Sequence, residues 1–330
     1  MYIGGKDYKL SFIDDKKFNL KKYLYINGRI AFKNILEEIK KNKKKTIYCP
    51  NYICESILKV IDKKYYKIKF YNVYDDFSLD IPDVKNELIL VIDYFGKQCK
   101  ISKKFIKNNI IIHDKTHSFI NEKKINIYKR KNYFFFLSIR KIFPSAVLGV
   151  SNLENKKKFF FNSKFEDIYF KCISSAYLKE EYTKKVNYLK DNKIEQIYLK
   201  NYEKLENFFD KSNENINFSK ILNYSKFSNN FYRQRKILKK NVDFLSKKIS
   251  PKIVNQVKSK DAIYFVINVK NKNNFIKYMR KFNIFLSNYW NRPTMIKNKK
   301  LSHNLFENII VLPNSIYLKK SNLIYLTKKI

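Results

Sequence analysis

The sequence predicts an α/β protein, with a mainly parallel sheet in a large domain and a smaller C-terminal α+β domain. Short apolar runs of strand length alternate with segments of helical periodicity from about residue 24 onward. The runs Leu88–Ile92 and Ile110–Ile112 contain no polar residues, which is typical of strands covered on both faces. The 330 residues are enough for two units, and we place the large domain at 1–210 and the small one at 211–330.

The elements of the large domain follow from this periodicity. The turn Asn27-Gly28-Arg29 precedes a helix from Ile30 to Lys41, whose apolar residues recur at helical spacing. The elements predicted after it are a strand at Thr46–Cys49, a helix at Tyr52–Ile61, strands at Tyr66–Tyr71 and Leu88–Ile92, a helix at Ser102–Lys107, and strands at Asn109–His113 and Tyr133–Leu137.

The second half of the chain is predicted to be richer in helix. Residues 164–210 have the spacing of long helices, and Ser212–Asn217 is a mostly polar connector without periodicity. The elements predicted in the C-terminal unit are a helix at Asn229–Lys248, a strand at Ala262–Val269, a helix at Lys272–Phe282, a strand at Ile309–Leu312 and a terminal helix reaching Ile330.

The formal charge of +41 first suggests a nucleic-acid-binding protein, which is one function class that we consider. Only seven of the 70 basic residues are arginine, however, although arginine is the residue that binds phosphates and bases bidentately. The lysines are spread over the whole length, and residues encoded by A- and T-rich codons are abundant throughout. We therefore interpret the charge as mostly solvated surface and expect no nucleic-acid partner.

Cysteine usage and hydropathy favour a cytoplasmic protein. The four cysteines form no CxxC pair and have no histidine-rich partner segment, so we expect reduced thiols and no metal site. No basic and apolar signal segment is found at the N-terminus, and the longest apolar runs have only strand length. We therefore expect no transmembrane segment.

Titratable residues follow two of the predicted strands. Asp114 and His117 come after the run Ile110–Ile112, and Ser138 and Lys141 come after the next strand. Because ligands of α/β proteins bind outside the carboxyl ends of strands, we expect these four side chains to share a site. An acid, an imidazole, a hydroxyl and a lysine suit pyridoxal phosphate (PLP): the lysine forms a Schiff base and the acid keeps the pyridine nitrogen protonated.

Two further turns are candidates, each with a plainer alternative. Gly28 lies between a short strand and a helix, where free backbone amides favour a phosphate, but many helices begin after a glycine for structural reasons. Tyr52 could lie flat on an aromatic ring or pack in the core. Asp114 and His117 could likewise be a solvated loop acid and a structural histidine.

With these residues in place, the chain resembles the DegT/StrS-type (DegT/DnrJ/EryC/StrS) aminotransferases, in a divergent short branch. The resemblance rests on eight short motifs in the family's order, spread nearly end to end. They are Gly28-Arg29-Ile30-Ala31 (phosphate turn), Cys49-Pro-Asn-Tyr-Ile-Cys-Glu55 ("PSYTCES"), Asp93-Tyr-Phe-Gly96 ("H-x-Y-G"), Asp114-Lys-Thr-His117 ("ED-x-[AT]-H"), Ser138-Ile-Arg-Lys141 (lysine motif), Arg233-Gln-Arg-Lys236, Asn288-Tyr-Trp290-Asn-Arg-Pro293 ("hW-P") and Ile309 to Pro313.

The resemblance implies a PLP-dependent transferase of fold type I with three catalytic residues. By this resemblance Lys141 binds the cofactor covalently and shuttles a proton between cofactor and substrate. Asp114 forms a salt bridge with the pyridine nitrogen, and His117 approaches the side of the ring that carries the phenolic oxygen.

The resemblance also implies the residues that hold the cofactor. Gly28, Arg29 and Ser138 are expected to bind its phosphate, beside the catalytic residues. Tyr52 or Cys54 is expected to lie over the face of the ring, where the family often has an aromatic side chain.

Two departures from the family's motifs bear on activity. After the lysine the family has Asp-Gly-Gly, where this chain has Val147-Leu148-Gly149, and before the pyridine-binding acid it has Glu, where this chain has His113. The implied function is amination of a nucleotide-linked keto-sugar for cell-surface polysaccharide biosynthesis, with glutamate as donor and a homodimer as the active form. The alternative is a degenerate homologue that binds a ligand or partner without transamination.

Overall fold

A computed structural model gives the fold of the protein. The residues it describes are 3–4, 23–40, 45–118, 131–138, 149–155, 166–168, 170–171, 174, 193–211, 230–250, 262–286, 289–296, 303–316 and 318–330. All structural statements below concern these residues.

A seven-stranded, mainly parallel sheet forms the centre of the N-terminal unit, as predicted. Its spatial order is β2-β8-β7-β6-β5-β3-β4. The five strands from β7 to β4 run parallel to one another, while β8 is antiparallel to both of its neighbours. The bounds are β2 Leu24–Tyr25, β3 Lys45–Pro50, β4 Tyr66–Tyr71, β5 Leu88–Ile92, β6 Ile110–Asp114, β7 Tyr133–Ser138 and β8 Gly149–Ser151.

The helices described in this unit are α1 Gly28–Ile39, α2 Glu55–Leu58, α3 Lys103–Asn108 and α4 Lys193–Lys211. The helix α1 begins at Gly28 because Asn27 caps it: the Asn27 Oδ1 accepts a hydrogen bond from the Ile30 backbone N–H at 2.9 Å. Its buried face packs on β7 and β8, with the rings of Phe32 and Phe136 5.0 Å apart. This packing fixes the N-terminus of α1 at one end of the sheet.

The C-terminal unit is built on two antiparallel strands, β9 Phe265–Asn268 and β11 Ile309–Leu312. Alternate side chains of these strands face opposite ways: Val266 and Val311 join the core of the large sheet, together with Tyr264 just before β9, whereas Phe265 and Leu312 join a second core. The helices described around it are α5 Asn230–Lys248, α6 Lys272–Arg280, α7 His303–Asn308 and α8 Lys320–Lys329, and β10 Ile284–Phe285 pairs in parallel with the N-terminal strand β1 Ile3–Gly4.

The predicted strands agree with the structure better than the predicted helix starts do. Tyr66–Tyr71, Leu88–Ile92 and Ile309–Leu312 have the predicted bounds. The helix predicted at Tyr52–Ile61 was too long: it begins at Glu55, because the backbone is still extended at its N-cap, Cys54. The division after residue 210 stays a prediction, since 212–229 lie outside the described residues.

The described helices include none that is both long and apolar enough to cross a membrane. Cys49, Cys54 and Cys99 are free thiols. Cys172 lies outside the described residues.

Candidate active site

A cavity opens at the carboxyl ends of β6 and β7, beside the N-terminus of α1. Most of its polar lining comes from three places that the sequence singled out, which are the turn before α1, the turn after β6 and the end of β7; Cys54 and Ser56 add to it from the segment after β3. The lining residues are Asn27, Gly28, Arg29, Ile53, Cys54, Ser56, Ile57, Ile92, Asp114, Thr116, His117, Phe136, Ser138 and Trp290. The structure thus brings together six of the eight predicted site residues.

The side-chain nitrogen Nδ2 of Asn27 and the hydroxyl of Ser138 are buried in this lining and have no hydrogen-bond partner among the described residues. Leaving a buried donor without a partner costs about 1–3 kcal/mol, so such atoms commonly serve a ligand. Both stand at the N-terminus of α1, whose first turn contains no acidic residue and whose dipole attracts anions. This end of the cavity suits a phosphate group.

The turn that carries Asn27 packs closely against the ends of β7 and β8. A Cβ on Gly28 would lie 3.2 Å from the Ser138 Cβ, tighter than most contacts. A Cβ on Gly149 would lie only 2.3 Å from the carbonyl carbon and oxygen of Asn27. Gly149 is the residue directly opposite Ser138 in the β7–β8 pair, so the turn before α1 rests on the ends of both strands.

Thr116 links Asp114 to Ser138. Asp114 is buried as the last residue of β6, and its Oδ1 accepts a hydrogen bond from the Thr116 backbone N–H at 2.8 Å. The Thr116 hydroxyl in turn accepts a hydrogen bond from the Ser138 backbone N–H at 3.2 Å. The acid and the candidate phosphate-binding serine are therefore held in a fixed arrangement at neighbouring strand ends.

The imidazole of His117 is held between two aromatic rings. Phe95 stacks on it at a centroid distance of 5.2 Å, and Trp290 stacks on it at 5.8 Å with an interplanar angle of 15°. Its Nδ1 accepts a hydrogen bond from the Phe95 backbone N–H at 3.4 Å, so in the neutral imidazole the proton is on Nε2. His117 can therefore offer a hydrogen-bond donor from a fixed ring.

Tyr52 does not line the cavity, although it was a candidate for covering the cofactor ring. Its side chain is fully buried, with centroids 5.0 Å from Phe306 and 5.1 Å from Trp290, and its hydroxyl donates to the Tyr289 carbonyl at 2.7 Å. Burial raises the pKa of Tyr52 well above its ordinary value, which keeps it a donor. The core-packing alternative agrees with this placement, and of the two candidates only Cys54 reaches the cavity.

Arg29 lines the cavity and is joined to the helix α4. One guanidinium nitrogen, Nη2, lies 2.8 Å from the Glu206 carboxylate, and both side chains are largely buried. This ion pair brings α4 against the N-terminal turn of α1. The Glu206 carboxylate already balances the charge of Arg29. A role of Arg29 in phosphate binding therefore stays a prediction.

Lys141, the remaining predicted site residue, lies outside the described residues, as do Arg140, Val147 and Leu148. The sequence had not identified Thr116 or Ser56 as lining residues. Thr116 stood inside the Asp114-Lys-Thr-His117 motif, whereas Ser56 is one of many serines and carried no signal of its own.

Solved structures of sugar aminotransferases share this architecture. Spr1654 from Streptococcus pneumoniae, named as a sugar aminotransferase and solved in its PLP form, matches with a TM-score of 0.61 at 14% identity. The match covers 93% of this chain and 85% of Spr1654. The chain has the fold of a sugar aminotransferase. The predicted fold class, PLP-dependent transferase fold type I with a mainly parallel sheet, is confirmed.

Two further sugar-aminotransferase-fold structures agree. PseC from Helicobacter pylori, an aminotransferase involved in the biosynthesis of pseudoaminic acid, matches with a TM-score of 0.56 at 11% identity over 93% of this chain and 84% of its own. DesV from S. venezuelae matches with a TM-score of 0.59 at 7% identity over 93% and 83%. No protein-family model matches the sequence, and no curated protein matches it at a significant level.

Proposed function

We propose that the protein is a PLP-dependent aminotransferase. The observation that carries the proposal is that two buried atoms, Asn27 Nδ2 and Ser138 Oγ, have no hydrogen-bond partner within the described part of the chain and stand at a glycine turn that shares one cavity with Asp114. PLP would contact both parts of the cavity. Its phosphate would accept hydrogen bonds at the glycine turn, and its protonated ring nitrogen would pair with the Asp114 carboxylate. The sugar-aminotransferase fold supports this reading, because Spr1654 has been solved in PLP and PMP forms.

The described residues would hold the cofactor in three ways. Asn27, Gly28 and Ser138 would bind its phosphate through side-chain and backbone donors at the positive end of α1. Asp114, kept in place by the Thr116 amide, would hold a proton on the pyridine nitrogen. His117 would donate a hydrogen bond to the ring's oxygen substituent. PLP supplies the electron sink and carries the amino group when it is bound.

Beyond the cofactor, we propose a nucleotide-linked keto-sugar as substrate and glutamate as amino donor, with a role in cell-surface polysaccharide biosynthesis. The family resemblance supports this substrate class, and PseC, a protein of this fold, is described as involved in the biosynthesis of pseudoaminic acid. Excess positive charge favours anionic substrates of this kind. We propose further that the protein works in the cytoplasm as a homodimer.

The visible absorbance spectrum of the protein mixed with PLP tests the proposal. We expect a band distinct from that of free PLP when the cofactor binds, and we expect glutamate to bleach it as the amino group moves to the cofactor. A bound cofactor that does not respond to any amino donor would favour the degenerate homologue. Failure to bind PLP at all would contradict the proposal.

Replacing Asp114 with asparagine should reduce the rate of the glutamate reaction by roughly a hundredfold, the scale of losing one electrostatic partner of a reacting group. The asparagine Oδ1 can still accept the Thr116 amide hydrogen, so the turn and the thermal stability should change little. The neutral amide cannot hold a proton on the pyridine nitrogen. Stopped-flow absorbance of the bound cofactor measures the rate, and a rate near that of the unchanged protein would mean that another group faces the nitrogen.

A further inference from the structure

A buried carboxylate behind the cavity binds the turn that carries Asp114 and His117. Asp93 follows β5, has no exposed surface and is not among the lining residues. Its Oδ1 accepts hydrogen bonds from His113 Nε2 at 2.7 Å and from the Cys99 amide at 2.8 Å. Its Oδ2 accepts hydrogen bonds from Ser118 Oγ at 2.7 Å and Lys115 Nζ at 3.2 Å. Three of these four donors belong to residues 113–118, which we call the acid turn.

The charges of this network are balanced inside the protein. A buried carboxylate is stable only when it is paired and fully hydrogen-bonded. Burial by itself raises the pKa of Asp93, but His113 and Lys115 outweigh that effect and hold the pKa well below its usual range. Asp93 is therefore an anion at neutral pH. Its partner His113 is fixed from the other side by the Tyr133 hydroxyl, 2.8 Å from Nδ1.

The backbone connects this network directly to the site. The Asp93 N–H donates to the Asp114 carbonyl at 3.0 Å, which continues the pairing of β5 and β6 to the residue that faces the cavity. The Ser118 N–H donates to the Lys115 carbonyl at 2.9 Å and closes the acid turn around His117. Movement of the Asp93 carboxylate would therefore release both ends of the segment that carries Asp114 and His117.

Asp93 and His113 are also two positions at which the chain differs from the motifs that it resembles. The strand-end motif begins with histidine where this chain has Asp93, and the acid motif begins with glutamate where this chain has His113. Either change alone would place two imidazoles or two carboxylates against each other. Together they keep one acid and one imidazole, with the order reversed. The two side chains are in contact, with His113 Nε2 2.7 Å from Asp93 Oδ1, so the exchanged residues still form an acid–imidazole pair.

We propose that Asp93 is a positioning residue for the cofactor site, and that it works as one unit with His113 in a reversed acid–histidine pair. The pair holds the acid turn so that Asp114 and His117 face the cavity. This inference rests on the proposed function for the identity of the ligand, but the pairing itself depends only on the geometry of Asp93 and His113.

A double-mutant cycle with Asp93→His, His113→Glu and the double variant tests the pair. Binding of PLP is followed by quenching of Trp290, the single tryptophan of the chain, which lines the cavity. Each single variant should bind PLP about tenfold more weakly, the scale of leaving a buried polar group unpaired. The double variant should recover most of that loss. The proposal would be overturned if the losses of PLP affinity in the two single variants simply added in the double variant. It would also be overturned if the single variants bound PLP as well as the unchanged protein.

Amide hydrogen exchange, measured without cofactor, is a second test of the Asp93–His113 pair that does not depend on PLP binding. Exchange in the acid turn should be faster in both single variants and slow again in the double variant. If Asp93→His does not fold, Asp93→Asn takes its place in this experiment, because asparagine keeps the shape of the side chain and removes its charge. Exchange in the acid turn should be faster in this variant as well. Equal exchange in all of these proteins would overturn the positioning role.

Asp76→Asn is the matched control. Asp76 also forms an ion pair with a lysine, Lys97 at 3.0 Å, but its side chain is largely exposed, and the described hydrogen bonds of its carboxylate are with Ser78 and Lys97 and not with the acid turn. Its loss should change neither PLP affinity nor exchange in the acid turn. If the unchanged protein fails to bind PLP, the proposed function is wrong. If the unchanged protein binds and the cycle shows no coupling, only the reversed pair is wrong.

Discussion

Replacing Lys141 with alanine is expected to abolish covalent attachment of PLP while leaving the protein folded. Borohydride treatment of the unchanged protein with PLP should fix a pyridoxyl label on Lys141, which peptide mapping detects, and the Lys141→Ala variant should carry none. Cofactor binding should weaken without disappearing, because Asn27, Gly28 and Ser138, which we propose to bind the phosphate, still line the cavity. The variant removes the amine together with the methylene groups that carry it.

Two companion variants make the Lys141 experiment specific. Lys141→Arg should also lose the label, since a guanidinium stays protonated and does not form the covalent link. Arg140→Ala should keep it, because the neighbouring charge is removed and the amine remains. A label on another lysine, or no label on the unchanged protein in the presence of PLP, would favour the degenerate homologue over the enzyme.

Replacing Gly149 with alanine is expected to destabilise the fold by about 3 kcal/mol, at the upper end of the cost of overpacking. The added methyl group would lie 2.3 Å from the backbone of Asn27 and 2.7 Å from the Gly28 nitrogen. Backbone cannot rotate away as a side chain can. Gly149 is also paired with Tyr25 and Ser138, so β8 can shift only by breaking its pairing on both sides. Urea unfolding measures the change.

The control for Gly149 is Ser151→Ala in the same strand. Its hydroxyl accepts one hydrogen bond, from the Leu153 amide at 3.1 Å, so its loss should cost about 1 kcal/mol and leave PLP affinity unchanged. Gly149→Ala should in addition weaken PLP binding, because the displaced turn carries Asn27. A Gly149→Ala variant that unfolds at the urea concentration of the unchanged protein would show that the turn has room to move.

The parts of the site that the sequence could predict lie at the ends of strands. The run of isoleucines before Asp114 identifies a buried strand, and the polar residues after it must stand at the edge of the sheet where ligands bind. The same reasoning predicts Ser138 at this edge, and the position of Gly28 between a short strand and a helix made its turn a candidate phosphate site. Local pattern and the direction of parallel strands are sufficient for these positions.

The remaining features depend on contacts between residues far apart in the chain. Tyr52 is held in the core by a hydrogen bond from its hydroxyl to the carbonyl of Tyr289, 237 residues away in the chain. The sequence pattern around Tyr52 does not predict this contact. The pairing of Arg29 with Glu206 and the need for a glycine at 149 arise in the same way. The individual motifs suggested which residues matter, but only the packing shows which of them face the cavity.

The two faces of the β9–β11 strand pair join the cofactor site to the C-terminal unit in one cooperative structure. On one face Tyr264 lies 4.9 Å from the ring of His117, and on the other Phe265 belongs to the C-terminal core. Tyr264, directly before β9, and Phe265, its first residue, are thus neighbours in the chain, so we expect loosening of the C-terminal unit to disturb the packing of His117 as well. By thermodynamic linkage, a ligand that binds only the folded site is expected to stabilise the C-terminal unit together with the sheet.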